Sequence, residues 1–135
     1  MDEIQAAILN VKLEYIDSYI EKRRELAKEY NKLLNPGIVR FSEYAHSRHS
    51  YHLFVIRVLD RDIVRKKLSD VGIDTGIHYQ CPIHLMSGYK FLGYSEESLP
   101  ITELLSGELL SLPMYPELTK EDVAFVCEKL NYIMS

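Results

Sequence analysis

The segment DEIQAAILNVKLEYIDSYIEKRRELAKEYNKLL, residues 2–34, carries a continuous amphipathic pattern. Asp2 and Gln5 have the spacing of a capping box at its start, and Asn35-Pro36-Gly37 marks its end. Apolar side chains recur at intervals of three, four or seven: Ile4, Ile8, Val11, Tyr15, Tyr19, Leu26, Tyr30 and Leu33. Since this is the period of one helix face, the pattern predicts a long amphipathic helix over residues 1–34.

The predicted helix is long compared with the domain that carries it. If unbroken, it measures about 50 Å, at about 1.5 Å per residue. A compact domain of 135 residues has a diameter of roughly 35–40 Å. One end of the helix should therefore pack on something else, either another domain or another copy of the chain, and we expect a homo-oligomer formed through this helix.

After this helix the chain alternates between short strands and helices. Strands are predicted at residues 51–59, 71–79 and 110–112. Further helices are predicted at residues 60–69 and 84–91, from residue 99, and from residue 119. Asp60 is the expected cap of the first of these, and Thr119 with Asp122 forms a capping box for the last. This order predicts an α/β (α+β) fold with a sheet of about three strands and helices on one face.

The composition narrows the classes of protein to consider. The net charge is -4, so electrostatics do not favour a nucleic-acid partner. No apolar run approaches the length of a membrane span, and the acidic N-terminal residues do not resemble a signal peptide. Cys81 and Cys127 are too far apart in sequence to indicate a disulfide scaffold, and the reducing cytoplasm is the expected compartment.

Residues 72–85, GIDTGIHYQCPIHL, form the densest polar cluster of the chain, with two histidines, a tyrosine, a proline and two glycines. Glycine and proline allow or fix particular backbone dihedrals, while His78, Tyr79 and His84 offer hydrogen-bond donors and acceptors. Such a combination is typical of the wall of a ligand pocket. Three further tyrosines could stack on a base or a sugar: Tyr89, Tyr94 and Tyr115. For Tyr89 and Tyr94 a role in the core is favoured.

Metal and thiol chemistry fit this cluster poorly. His78 and His84 lie six positions apart across Pro82, and no neighbouring acid completes a ligand set. A nucleophilic pair of Cys81 with either histidine lacks a third, orienting group. The three histidines at period three, His46, His49 and His52, lead into a strand, where that spacing alternates faces. We therefore predict neither a metal site nor a catalytic residue.

Three segments, residues 1–9, 72–85 and 110–119, together resemble the C-terminal part of the DegT/DnrJ/StrS-type sugar aminotransferases. These pyridoxal-phosphate enzymes transfer an amino group from a donor such as glutamate to a keto-sugar linked to a nucleotide. The resemblance implies that residues 1–135 are the small C-terminal domain of the type I aminotransferase fold. It also implies that residues 1–34 connect to an N-terminal cofactor-binding domain that this chain lacks.

The resemblance also implies site residues. By the match to the Gly-Ile-His-Tyr stretch of relatives, His78 and Tyr79, and then His84, contribute to binding a nucleotide-sugar. Many relatives have proline after the tyrosine, where this chain has Gln80-Cys81. The sequence Ser87-Gly88-Tyr89-Lys90 fits the short pattern Ser-x-x-Lys by chance. The cofactor lysine of relatives lies far upstream of these segments, so Lys90 is not predicted to bind the cofactor. Pyridoxal phosphate is expected in the complete enzyme, and no cofactor is expected on this chain alone.

Two functional hypotheses follow. In the first, the chain is the C-terminal domain of a nucleotide-sugar aminotransferase of amino-sugar or polysaccharide biosynthesis. It would be inactive alone and would be completed by an N-terminal domain or a separate subunit. In the second, it is a non-catalytic interaction or oligomerisation module derived from that fold.

Overall fold

The computed structural model describes residues 2–135; Met1, the first residue of the N-terminal family-like segment, lies outside them. The α-helices are α1 (Glu3–Leu13), α2 (Ile16–Leu33), α3 (Arg61–Asp70), α4 (Pro100–Glu108) and α5 (Lys120–Ile133). The strands are β1 (Val39–Arg40), β2 (Phe54–Arg57) and β3 (Leu109–Leu112), and two 3₁₀ segments cover Ile83–Leu85 and Ser87–Leu92. The predicted mixture of helices with a small three-stranded sheet is confirmed.

The sheet is antiparallel throughout, in the order β1-β2-β3. In the register of the two longer strands, Phe54 pairs with Leu112 and Arg57 with Leu109. The third strand is β1; the strand predicted at residues 71–79 is wrong. That segment is reduced to a single bridge between Gly76 and Ser111. Glycine weakens strand interiors, and this segment contains two, Gly72, with φ +81°, and Gly76.

The core lies between the sheet and three helices. Along β2, Phe54 and Ile56 are buried while Val55 and Arg57 are partly exposed, so alternate residues face the core. The same cluster contains side chains of α2, α3 and α5: Leu26, Ala27, Tyr30, Val64, Leu68, Val123, Val126, Cys127 and Leu130. None of the residues of α1 is buried, so α1 contributes nothing to this core.

The N-terminal helix differs from the prediction because it is interrupted after Leu13. The backbone N–H of Tyr15 bonds to the carbonyl of Lys12, three residues back, at 3.1 Å. The Ser18 hydroxyl donates to the Tyr15 carbonyl at 2.8 Å. A serine that bonds back to a carbonyl of the preceding turn bends helices. The predicted amphipathic helix is therefore present as two helices, α1 and α2.

The predicted helix caps are partly confirmed. Asp2 with Gln5 and Thr119 with Asp122 form capping boxes. Asp60 precedes α3, but its side chain makes no capping hydrogen bond. It has a left-handed backbone, with φ +50°, and the amides of the first turn bond to its carbonyl instead. No helix within residues 2–135 is long and apolar enough to cross a membrane.

Candidate functional site

The loop that contains His78 is attached to the edge of the sheet through Gly76. The Gly76 amide donates to the Ser111 carbonyl at 2.9 Å, and the Ser111 amide donates to the Gly76 carbonyl at 2.8 Å. Ser111 is the third residue of β3, and only 4% of its surface is exposed. The rigid strand thus fixes the backbone two residues before His78.

The side chain of His78 rests on the same two residues. Its Nδ1 lies 2.9 Å from the Ser111 hydroxyl oxygen. The imidazole covers Gly76 closely, because a Cβ atom added to that glycine would lie 2.6 Å from Cε1 of the ring. Within residues 2–135, Nε2 of His78 has no hydrogen-bond partner, and the residue as a whole is exposed. One ring nitrogen is therefore engaged, and the other is available to a ligand.

Tyr79 lies beside this imidazole. The centroids of the two rings are 5.6 Å apart, with the planes nearly perpendicular, and 77% of the tyrosine surface is exposed. An exposed aromatic ring next to a polar ring nitrogen offers both a stacking surface and a hydrogen bond. His78 and Tyr79 thus share one surface, and their role in ligand binding stays a prediction.

His84 has different surroundings from the other two predicted site residues. It is buried, with 7% of its surface exposed, and its Nε2 lies 2.9 Å from Oε1 of Glu103. The ring of Tyr94 packs edge-on against it at 6.0 Å between centroids. A buried imidazole with an engaged Nε2 supports the local structure, so among the three residues His84 is the least accessible to a ligand.

Glu103 was not among the residues singled out from the sequence. Besides His84, its carboxylate accepts hydrogen bonds from the amides of Glu97, at 2.8 Å, and Leu99, at 3.0 Å. These two amides and the His84 contact lower the pKa of Glu103. From residue type, Thr102 or Ser98 is the expected N-cap of this helix, but Leu99 occupies the N-cap position and no side chain caps it. Pro100 at the first helical position was the available sequence signal, because it placed Glu103 in the first turn of α4.

The other end of α4 is held by two arginines. Arg57 of β2 forms an ion pair with Glu108, and the buried Arg61 of α3 donates to the carbonyl of Ser106. Arg61 also bonds to the carboxylate of Asp62. Polar contacts thus hold the segment from His84 to Glu108 near both of its ends.

Ser111 is the second site residue that sequence analysis missed. It lies in the sequence Leu109-Leu110-Ser111-Leu112, and a serine within an apolar strand needs a hydrogen-bond partner when it is buried. That signal was present, but it does not say which residue supplies the partner. The partner, His78, lies 33 residues away in sequence.

The two cysteines have different surroundings. The Cys81 sulfur is exposed and contacts the carbonyl of Pro82 at 3.6 Å. Cys127 is buried in the core, and burial raises its pKa to about 12. Across residues 2–135, no group of three or more His, Cys, Asp or Glu side chains is arranged to hold a metal ion.

Comparison with known proteins supports one family for this architecture. The model of the DegT/DnrJ/EryC1/StrS aminotransferase family matches residues 1–131. The chain is 42% identical to the erythromycin biosynthesis sensory transduction protein EryC1 of Saccharopolyspora erythraea, over 97% of this chain and 36% of that protein. It is 39% identical to the dTDP-3-amino-3,6-dideoxy-alpha-D-galactopyranose transaminase of Aneurinibacillus thermoaerophilus, over 97% of this chain and 36% of that enzyme.

Solved structures agree with this match. DesV of S. venezuelae superimposes with a TM-score of 0.93 and 36% identity, over 98% of this chain and 36% of DesV. An aminotransferase of the same family from Brucella abortus gives a TM-score of 0.90 and 32% identity, with the same two coverages. The chain thus spans about 36% of the length of these relatives. It belongs to the DegT/DnrJ/EryC1/StrS aminotransferase family.

Proposed function

We propose that this chain is the small C-terminal domain of a pyridoxal-phosphate-dependent nucleotide-sugar aminotransferase of amino-sugar biosynthesis. The observation that carries the proposal is the exposed pair of His78 and Tyr79. It lies on a fold that superimposes on DesV with a TM-score of 0.93. The transaminase names of the similar proteins from Aneurinibacillus and Micromonospora, both acting on dTDP-linked amino sugars, support the substrate class.

The residues of this chain do not fit pyridoxal phosphate. The cofactor needs a lysine in a desolvated pocket and a carboxylate for its ring nitrogen. Lys90 is exposed, and Lys129, the least exposed lysine, pairs with Glu128 at 2.7 Å on the surface. When bound, the cofactor serves as the electron sink for amino-group transfer. We therefore assign the cofactor to an N-terminal domain or a separate subunit, and we expect no transamination by this chain alone.

The part assigned to this chain is binding and orientation of the nucleotide-sugar. Tyr79 presents an exposed ring on which a base or a sugar can stack. His78 offers a ring nitrogen with no partner in the described part of the chain, and this nitrogen can bond to a hydroxyl or phosphate oxygen. His84 supports the neighbouring segment through Glu103. Apolar and aromatic contacts with a few placed polar groups are typical of small-molecule sites.

Helix α1 is the proposed contact with the cofactor-binding part. Its apolar residues Ile4, Ile8 and Val11 are all more than half exposed, although the sequence pattern places them on one face. A separate open groove of about 680 Å³ is lined by other residues of α1, by residues of α2 and by Pro116 and Glu117. Burying these side chains against an N-terminal domain or a second copy would remove apolar surface from water. Contact with a second copy would make the assembly a dimer.

Titration of the isotope-labelled chain with a dTDP-linked amino sugar tests the binding role. We expect the ring resonances of Tyr79 and His78 to shift in a saturable manner, and a His78→Gln variant to bind more weakly. His46→Gln, which alters an exposed histidine of the loop at residues 41–53, is the matched control and should bind like the wild type. Shifts that spread evenly over the surface without saturation would contradict the proposal.

The exposed face of α1 also supports the second hypothesis, a module that acts only by association. Sedimentation equilibrium separates the two. Self-association that is lost in Ile8→Ser, together with an absence of nucleotide-sugar binding, would favour the association module.

The two thiols form no disulfide, which fits a reducing compartment, and we propose the cytoplasm as the location of either form.

A further inference from the structure

We propose that Ser111 and Gly76 are positioning residues that hold neutral His78 as the tautomer with its proton on Nε2. His78 then presents an N–H donor, and not an acceptor, to its ligand. This inference deepens the proposed binding role of His78 and rests on it for the identity of the ligand. The assignment of the tautomer depends only on the hydrogen bond between Ser111 and His78.

The direction in which the Ser111 hydroxyl donates its proton determines the tautomer of His78. Ser111 is 4% exposed, and both of its backbone polar groups are already used in the bridge to Gly76. Within residues 2–135, its hydroxyl has one hydrogen-bond partner, Nδ1 of His78 at 2.9 Å. If Nδ1 carried the proton and donated to the serine, the buried O–H would have no acceptor. Because an unsatisfied buried donor is costly, the hydroxyl donates to Nδ1, and the proton of the neutral ring resides on Nε2.

The imidazole of His78 also approaches the backbone of Gly76 closely. A Cβ atom on residue 76 would lie 2.6 Å from Cε1 and 3.2 Å from Nδ1 of His78. Contacts this short force the imidazole away from its position and so away from Ser111. Glycine is therefore required at position 76 for the bond between Nδ1 and the serine hydroxyl to form.

The consequence is a preference for the chemistry of the ligand. An Nε2–H donor binds oxygen acceptors such as phosphate, hydroxyl or carbonyl oxygens, and a diphosphate-linked sugar is rich in these. Without Ser111, both tautomers of the neutral ring are accessible. The binding-competent fraction falls, and the apparent affinity falls with it.

Nitrogen-15 spectroscopy of the imidazole at about pH 8, where histidine is mostly neutral, measures the tautomer directly. In the wild type we expect a protonated Nε2 and an unprotonated Nδ1 for His78. Ser111→Ala should move both shifts towards a mixture, and Ser111→Thr, which keeps the hydroxyl, should restore them. Thr75→Val is the matched control, because it removes a nearby buried hydroxyl that has no partner within residues 2–135; its His78 shifts should equal those of the wild type.

Gly76→Ala displaces the His78 imidazole without changing the sequence of β3, so it serves as a second test if Ser111→Ala folds poorly. It should also disturb the His78 shifts. A proton found on Nδ1 in the wild type, or unchanged shifts in both Ser111→Ala and Gly76→Ala, would overturn the proposal.

Affinity for a dTDP-linked amino sugar separates this inference from the proposed function. We expect about twofold weaker binding for Ser111→Ala, because the fraction of His78 in the binding-competent tautomer falls from nearly all to about half. An altered tautomer with unchanged affinity would overturn the positioning role. The expected tautomer in a wild-type chain that binds no nucleotide-sugar would support the positioning by Ser111 while contradicting the proposed function.

Discussion

The imidazole Nε2 of His84 lies 2.9 Å from Oε1 of Glu103 and joins the first 3₁₀ segment to the first turn of α4. Between the two residues lies a largely exposed segment in which Phe91 and Leu92 contribute nothing to the core. With little apolar burial of its own, this segment depends on polar contacts for its order. The carboxylate of Glu103 receives three of them.

Glu103→Gln should lower the urea midpoint of unfolding near neutral pH, because an amide replaces the charged acceptor of these bonds. The pKa of Glu103 is depressed below its ordinary value of 4.5. Its contribution is therefore complete above that value and is lost as the pH falls through the lower pKa of the folded state. The difference between wild type and variant should shrink in acid. Glu96→Gln, which removes an exposed charge from the same segment, is the control and should show no such pH dependence.

The sequence predicted those elements whose pattern is local. The period of residues 16–33, the capping box of Thr119 and Asp122, and the apolar alternation of β2 each depend on a few neighbouring residues, and each is present. The third strand was placed wrongly because β1 is only two residues long and is formed by pairing with β2. No periodicity can reveal a strand of that length.

The loop residues of the candidate site could be predicted from the sequence, but the residues that hold them in place could not. His78, Tyr79 and His84 stand out as residue types in an unusual cluster, so sequence analysis could select them. Ser111 and Glu103 act through partners 33 and 19 residues away, and such contacts exist only once the chain has folded. For the same reason, the sequence does not distinguish exposed His78 from buried His84.

Ile8→Ser and Ile56→Ala should affect stability very differently. Ile8 is 54% exposed on α1, whereas Ile56 is fully buried in β2. We expect Ile8→Ser to change the free energy of unfolding by less than about 0.5 kcal/mol and Ile56→Ala to reduce it by about 3–4 kcal/mol. Urea unfolding of both variants checks this, at a protein concentration where the chain is monomeric. A large loss for Ile8→Ser in the monomer would show that α1 packs on its own domain.

The two thiols should react at very different rates. Cys81 is exposed and Cys127 is buried, and burial raises the pKa of Cys127 to about 12. Because the thiolate is the reactive form, an aromatic disulfide reagent should label one cysteine in the native protein and both in denaturant. Cys81→Ser should abolish the native reaction and leave the denatured one. Rapid labelling of Cys127 in native Cys81→Ser would indicate that the core opens readily.

Removing either of two buried hydroxyl groups should affect stability differently, because only one of them has a hydrogen-bond partner within residues 2–135. The Tyr30 hydroxyl donates to the carbonyl of Pro113 at 2.9 Å, and Tyr30→Phe leaves that carbonyl without this donor. The free energy of unfolding should fall by about 1–2 kcal/mol.

The Thr75 hydroxyl is buried with no partner within residues 2–135, so it is already desolvated without compensation. Thr75→Val, which preserves the shape of the side chain, should leave stability unchanged or raise it by about 1 kcal/mol. Thermal and urea unfolding of the two variants measure both effects, and a loss of stability in Thr75→Val would mean that its hydroxyl is satisfied by bound water.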